Sequence, residues 1–301
     1  MTSPDVVKKR TLVLSAWVLM LLVSDLPDIF CTQIFKHVPK GLFWGKVGLL
    51  LLFLGLSLLC KTLRPLRQFA VFLAVFFLAL AVSAWIGNLP GWQRRFSGAG
   101  VSFTVGYVGA YLRDLVVAGA VIAALWLMKR KRRNFFLVKG QMDAAIQPVR
   151  WLGIGADKSW RAFGWIFTIV ASLGVAIPTL LGLKLSGPIL SRAVSLLPAV
   201  LLFAAVNAFT EEVYFRASFL STLYGVIGRG HTLLISSVFF GLAHYLYGSP
   251  PGIPGALMTG FLAWLLGKAM LETGGLGWPW LIHFVPDVVV FASYAILWVQ
   301  R

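Results

Sequence analysis

Two of the chain's three glutamates are adjacent, Glu211 and Glu212, in the run Thr210-Glu211-Glu212-Val213-Tyr214-Phe215-Arg216, directly after the apolar stretch 201–209. Arg216 follows Glu212 by four residues, which on a helix stacks the two on one face as an ion pair. Glu211 points about 100° away, so the arginine can hold one carboxylate and leave the other free. Of four histidines, His244 closes the run Phe240-Gly241-Leu242-Ala243-His244 deep in an apolar segment, and His283 stands one turn before Asp287 in a later one. Converged on one cavity, these side chains supply a general base, a charge partner, a second proton carrier and an oxyanion donor. Each group alone has a plainer reading: a solvated salt bridge at a helix end, an interhelical hydrogen-bonding histidine, a structural His-x-x-x-Asp clamp. Their joint occurrence in the trailing part of a chain with only ten acidic residues favours chemistry.

The elements that must position them are set by composition. Hydrophobic residues make up 59% of the 301 and charged residues 12%, and the mean hydropathy is +0.85. Soluble domains carry roughly a quarter charged residues, so this chain has no polar coat for water. Apolar runs of about 18 residues or more, enough to cross a hydrocarbon core, fall near 12–30, 41–60, 69–86, 101–128, 162–183, 189–220, 232–247, 253–270 and 276–299. The expected fold is an all-α polytopic transmembrane bundle of about eight or nine spans, with the seventh and eighth segments the candidates for partial re-entry. The first segment lacks a small-residue cleavage site and is expected to be a span rather than a signal peptide. An ionisable side chain at the centre of a span costs roughly 2.5–3.5 kcal/mol, which is why Glu211, Glu212, His244, His283 and Asp287 stand out.

Three regions are expected: residues 1–128, four leading spans serving as variable scaffold; 129–161, a basic cytoplasmic linker; and 162–301, a catalytic membrane core. The net charge of +17 does not point to nucleic acid. Lys8, Lys9 and Arg10, then Lys61, Arg64 and Arg67, then Lys129, Arg130, Lys131, Arg132 and Arg133 followed by Lys139, Arg150, Lys158 and Arg161, occupy alternate loops, while Lys36, Lys40, Arg94, Arg95, Lys184 and Arg192 are the sparser positives between. That is the positive-inside pattern, with contact to anionic lipid as its by-product. Phe135, Phe136, Leu137, Val138 and Trp151 suggest that part of the linker lies in the membrane interface.

With its three motifs in order, Glu211-Glu212-x-x-x-Arg216, Phe240-x-x-x-His244 and His283-x-x-x-Asp287, the chain resembles the CPBP family, the CAAX-processing endopeptidases and their bacterial relatives. The first motif is specific; the set of three within about 77 residues is stronger than any one. The resemblance covers the trailing spans from about residue 162. It implies an intramembrane endopeptidase in which Glu211 polarises the hydrolytic water, His244 shares that proton, and His283 and Asp287 stabilise the oxyanion or position the substrate, with Glu212 and Arg216 supporting the site. Many relatives have asparagine where this chain has Asp287. An ionised carboxylate cannot donate to an oxyanion, so Asp287 is either protonated or an acceptor that orients His283; the i, i+4 spacing favours the second. Glu211, His244 and His283 also match a zinc site in residue type, so the cofactor is either none or zinc; no HExxH is present. The partners expected are a protein or peptide substrate at the membrane and the bilayer itself, in the inner membrane of a bacterial cell. The substrate classes left open are a prenylated C-terminal tail, a bacteriocin or signalling peptide, and a C-terminal sorting segment. The alternative from another class is a transporter or non-catalytic scaffold using the Glu, His and Asp residues as a proton relay, although no internal repeat of the kind common in transporters is visible.

Other polar positions read as structural. Arg113 and Asp114 in the fourth span are packing partners or an interfacial dip; Asn207 bonds either Glu211 or a neighbouring helix; Lys268 and Glu272 form an i, i+4 pair at a helix end. Lys46 is expected to snorkel to the interface. Cys31 and Cys60 lie near opposite ends of neighbouring spans and read as unpaired. Gly248-Ser249-Pro250-Pro251-Gly252 is a tight turn, with a gating role as its only functional reading. The loop charges put the amino terminus and the 129–161 linker in the cytoplasm and, with an odd number of spans, Arg301 on the other side. Reporter fusions at Arg133 and Arg301 are expected to report opposite sides; agreement between them would mean an even number of spans.

Overall fold

In lipid only helices and closed barrels satisfy every backbone polar group, and the computed structural model is helical throughout its long apolar runs. It describes residues 4–98, 100–155, 158–183, 185–248 and 250–300; Lys184, Ser249 and Arg301, singled out above, lie outside the described residues. In chain order the helices are α1 (Pro4–Val23), α2 (Leu26–Phe35), α3 (Leu42–Leu59), α4 (Arg67–Asn88), α5 (Pro90–Phe96), α6 (Phe103–Leu127), α7 (Trp160–Leu181), α8 (Gly187–Val194), α9 (Leu197–Glu212), α10 (Ser218–Ile227), α11 (Arg229–Tyr247), α12 (Ile253–Thr273) and α13 (Gly277–Val299). Seven described helical spans are long and apolar enough to cross a membrane, and eight if α1 and α2, bent by 46° at Ser24–Asp25, form one broken span. The seventh expected segment, 232–247, is α11, which is not among these spans. It is helical over the expected length but more polar, and it packs between α10 and α12. The segment expected at 189–220 is two pieces: α8 ends at Val194, and a separate column runs from Leu197 through α9 and α10 to Ile227.

Between α9 and α10 the backbone widens into a π-helical turn, Val213–Ala217. A π turn breaks the regular i→i−4 ladder, and hydroxyls bond the carbonyls there: Ser236 of α11 donates to the Phe215 carbonyl, and Ser218 to that of Tyr214. Tyr214 in turn donates its phenol to the Asp114 carbonyl of α6. The leading spans pack directly on this column. The rings of Phe69 and Phe72 in α4 lie 5.5 and 5.2 Å from Phe219, and Phe76 lies 5.3 Å from Tyr214.

Lys46 does not snorkel. It is buried on α3 and paired with Asp28 of α2, because the bend after α1 turns that carboxylate inward within reach. Arg113 sits over Gly87 and Ser83 of α4. The 129–161 stretch is folded onto the ends of α12 and α13. Gln141 N donates to the Thr273 carbonyl (2.7 Å), Leu276 N to Val138 (2.8 Å) and Gly277 N to Lys139 (3.0 Å). Gly140 (φ 79°) and Gly275 meet so closely there that a Cβ on Gly275 would stand 2.4 Å from the Gly140 nitrogen. Phe135, Ile146 and Ile154 point inward, whereas Trp151 is exposed.

Lys268 and Glu272 do pair, but as part of a larger buried cluster. The Glu272 carboxylate, 3% exposed, also pairs with Arg229 and accepts from Trp160 Nε1 (2.9 Å) and the Gln147 backbone N–H (3.3 Å). One carboxylate thus ties the linker, α7, α11 and α12 together. Removing one partner of a buried ion pair costs about 3–5 kcal/mol. Glu272→Gln is therefore expected to lower abundance and the detergent unfolding temperature clearly, and Arg229→Gln, at a side chain 29% exposed, to lower them less. Wild-type stability of Glu272→Gln in a thermal scan would refute the clamp.

Candidate active site

Glu212 and His244 stand sixteen residues on either side of Gly228, the positive-φ residue that joins α10 to α11. The hairpin made by the α9–α10 column and α11 brings them to one level, and His283 on α13 reaches the same level from its own helix. The site is built around Glu212, whose side chain is fully buried. Its Oε1 accepts from His283 Nδ1 at 2.8 Å and lies 3.5 Å from Arg216 Nη1. Arg216, on the π turn and also fully buried, places its guanidinium 3.9 Å from the centroid of the Phe240 ring. None of its three guanidinium nitrogens has a hydrogen-bond partner among the described residues. Its charge is met instead by the Glu212 carboxylate and by the ring face, a cation–π contact worth about 2 kcal/mol when desolvated.

The other edge of His283 faces two more carboxylates. Nε2 lies 3.5 Å from Glu211 Oε2 and 3.7 Å from Asp287 Oδ2. Glu211 is the more open of the two glutamates, with a side chain 22% exposed against none for Glu212. The i, i+4 spacing pointed to Asp287 as the acceptor that orients His283. In the structure Glu212 stands at that acceptor position, because α9 comes closer to Nδ1 than the next turn of α13 comes to Nε2. Asp287 is instead held by Asn207 Nδ2 at 3.0 Å, and Asn207 Oδ1 accepts from Tyr111 Oη at 3.2 Å. Asn207 thus makes the helix–helix contact, linking α6, α9 and α13. Tyr111 has no spacing relation to any motif, and nothing in the sequence singled it out.

His244 stands apart from this group. Its Nδ1 is 2.9 Å from the Phe240 carbonyl of its own helix, and the Phe240 ring neighbours both histidines, 4.2 Å from His244 and 6.2 Å from His283. Among the described residues no three His, Cys, Asp or Glu side chains are grouped so as to hold a metal ion. Glu211, His244 and His283, which match a zinc site in residue type, form no such group among the described residues.

Residues 193–289 match the family model described as type II CAAX prenyl endopeptidase Rce1-like. Over these residues the chain is similar to the CPBP family of CAAX-type endopeptidases. The matched segment holds all three motifs, from before Glu211 to just past Asp287, and it indicates a membrane-embedded protease, a hydrolase. No curated protein and no solved structure gives a significant match to the chain. The leading spans lie outside the matched residues and join the core by packing: α4 against the π turn, and α6 through Tyr111 and the Asp114 carbonyl.

The geometry gives Glu212 a testable structural weight. Glu212→Gln keeps an acceptor for His283 but strands the buried guanidinium, and is expected to reduce abundance and detergent stability by a few kcal/mol. Adding Arg216→Met removes the stranded cation, so the double variant should recover part of that loss. A double variant less stable than Glu212→Gln, measured by thermal unfolding in detergent, would show that Arg216 contributes through something other than this pair.

Proposed function

We propose that this protein is an intramembrane endopeptidase that cleaves the C-terminal tail or a membrane-proximal segment of a protein or peptide, with Glu211 activating the attacking water. The observation that carries the reading is the contrast between the two adjacent glutamates. Glu212 is sealed between a guanidinium and an imidazole, whereas Glu211 is partly open and faces the free edge of the same imidazole. A carboxylate committed to two partners is a poor base; one with an open edge can take a proton from water.

In this mechanism the Glu211 carboxylate accepts a proton from water as the water oxygen attacks the scissile carbonyl carbon. His244, whose Nδ1 is engaged by its own backbone, offers Nε2 to share that proton. His283 donates one N–H to Glu212; protonated at Nε2 as well, it presents a donor toward the tetrahedral oxyanion, in the manner of preorganised donors that meet developing charge. Asp287, held by Asn207, favours that imidazolium electrostatically rather than donating to the oxyanion. As the C–N bond breaks, the proton on Glu211 passes to the departing amine and the carboxylate is restored. No step here runs through a metal. A substrate tail bearing a lipid, as the name of the matched family implies for its members, suits a site reached from within the bilayer. Bacteriocin or signalling peptides and sorting segments are the other substrate classes to assay.

Glu211→Gln preserves volume and most hydrogen bonding but removes the base. Cleavage of a tail peptide is expected to fall by about 10²–10⁴-fold, with protein level and detergent stability close to wild type. Unchanged cleavage with altered ion or solute flux would favour the proton-relay transporter instead.

A further inference from the structure

A groove of about 610 Å³ opens between α6, the linker and the α9–α13 pair. Its walls include Ile122 and Trp126 of α6, Phe209 of α9 and Trp280 of α13, and Arg132 and Lys139 of the linker stand in its lining. Both cations are exposed, and neither makes an ion pair among the described residues. The layering along α6 is that of an amphiphile. Ile122 lies about 8 Å along the helix below Leu127, its last residue, at 1.5 Å per residue. Trp126 is in the final turn, and Arg132 follows just beyond the helix end. Apolar wall, interfacial indole and then cations match, in order, the acyl chain, glycerol level and phosphate of a membrane lipid.

We propose that this groove is a binding site for one anionic phospholipid, its phosphate on Arg132 and Lys139 and an acyl chain against Ile122, Trp126, Phe209 and Trp280. An apolar substrate tail would fit the walls but would leave the paired cations without a counter-charge, and a free phosphate would use the cations and leave the walls bare. Two of the walls belong to the helices that carry the site: Phe209 precedes Glu211 by two residues and Trp280 precedes His283 by three. Trp280 Nε1 also donates to the Ala205 carbonyl at 3.0 Å, joining α13 to α9. A lipid seated there braces the α9–α13 pair, independently of whatever reaction the site performs.

The test uses the full chain, purified in an uncharged detergent and supplied with phosphatidylglycerol, phosphatidylcholine of the same acyl chains, or inorganic phosphate, with native mass spectrometry counting retained lipid and a thermal scan reading stability. Phosphatidylglycerol is expected to bind at one equivalent and raise the unfolding temperature more than either control. Arg132→Ala with Lys139→Ala should weaken that binding by about 30-fold, from ~1 kcal/mol per cation near an anionic headgroup. Lys131→Ala with Arg133→Ala removes the same charge from exposed neighbours outside the groove and should leave binding near wild type. Equal retention of the two lipids, equal losses in the two double variants, stabilisation by phosphate alone, or displacement of phosphatidylglycerol by an uncharged apolar peptide would each overturn the proposal.

Discussion

Glu212 carries a carboxylate wholly inside a membrane bundle, and the need to balance that charge organises the surrounding helices. Its Oε1 meets His283 of α13 at 2.8 Å and Arg216 of the π turn at 3.5 Å, so three segments are held by one oxygen. In a low-dielectric interior an unpaired charge costs several kcal/mol, which makes the arrangement all-or-none rather than adjustable. Arg216 extends the network by lying against Phe240, and the same ring touches His244. His283 is thus tied to this carboxylate directly, and His244 through the Phe240 ring and Arg216.

The π turn makes this possible. Glu212 ends α9, and the widened turn Val213–Ala217 follows at once, with Tyr214, Phe215 and Arg216 facing different neighbours: α6, α4 with α11, and the site. Ser236 and Ser218 bond carbonyls of this turn, so the distortion is stabilised by hydroxyls from outside and inside the column. π turns of this kind concentrate at functional sites.

The leading helices also contribute more than a frame. Tyr111 reaches Asp287 through Asn207, and α4 packs its phenylalanines on the helix column that bears the glutamates. At the basic end of the bundle, the Glu272 cluster fixes the linker to α7, α11 and α12. Two buried carboxylates, Glu212 and Glu272, therefore anchor the membrane core, one in the site and one near the ends of α11 and α12.

Much of this was legible in the residues themselves. Low charge and long apolar runs are enough to require a helical membrane bundle, because lipid leaves the backbone no other way to satisfy its polar groups. The order of the Glu-Glu, Phe-His and His-Asp motifs identified the core, and the i, i+4 spacing of Glu212 and Arg216 predicted their pairing, since spacing along one helix is a local property. Spacing could not say which acceptor orients His283. It offered Asp287 on the same helix, whereas the choice depended on how closely α9 approaches α13. Lys46 misled for the same reason, as its partner Asp28 comes within reach only through the bend between α1 and α2. What the sequence by itself determined was helix, membrane and motif, all set by short-range periodicity and composition. Only the tertiary structure decided the partners of each buried charge, the π turn that aims Arg216, and the contact of Arg216 with the Phe240 ring, because those depend on distances between helices.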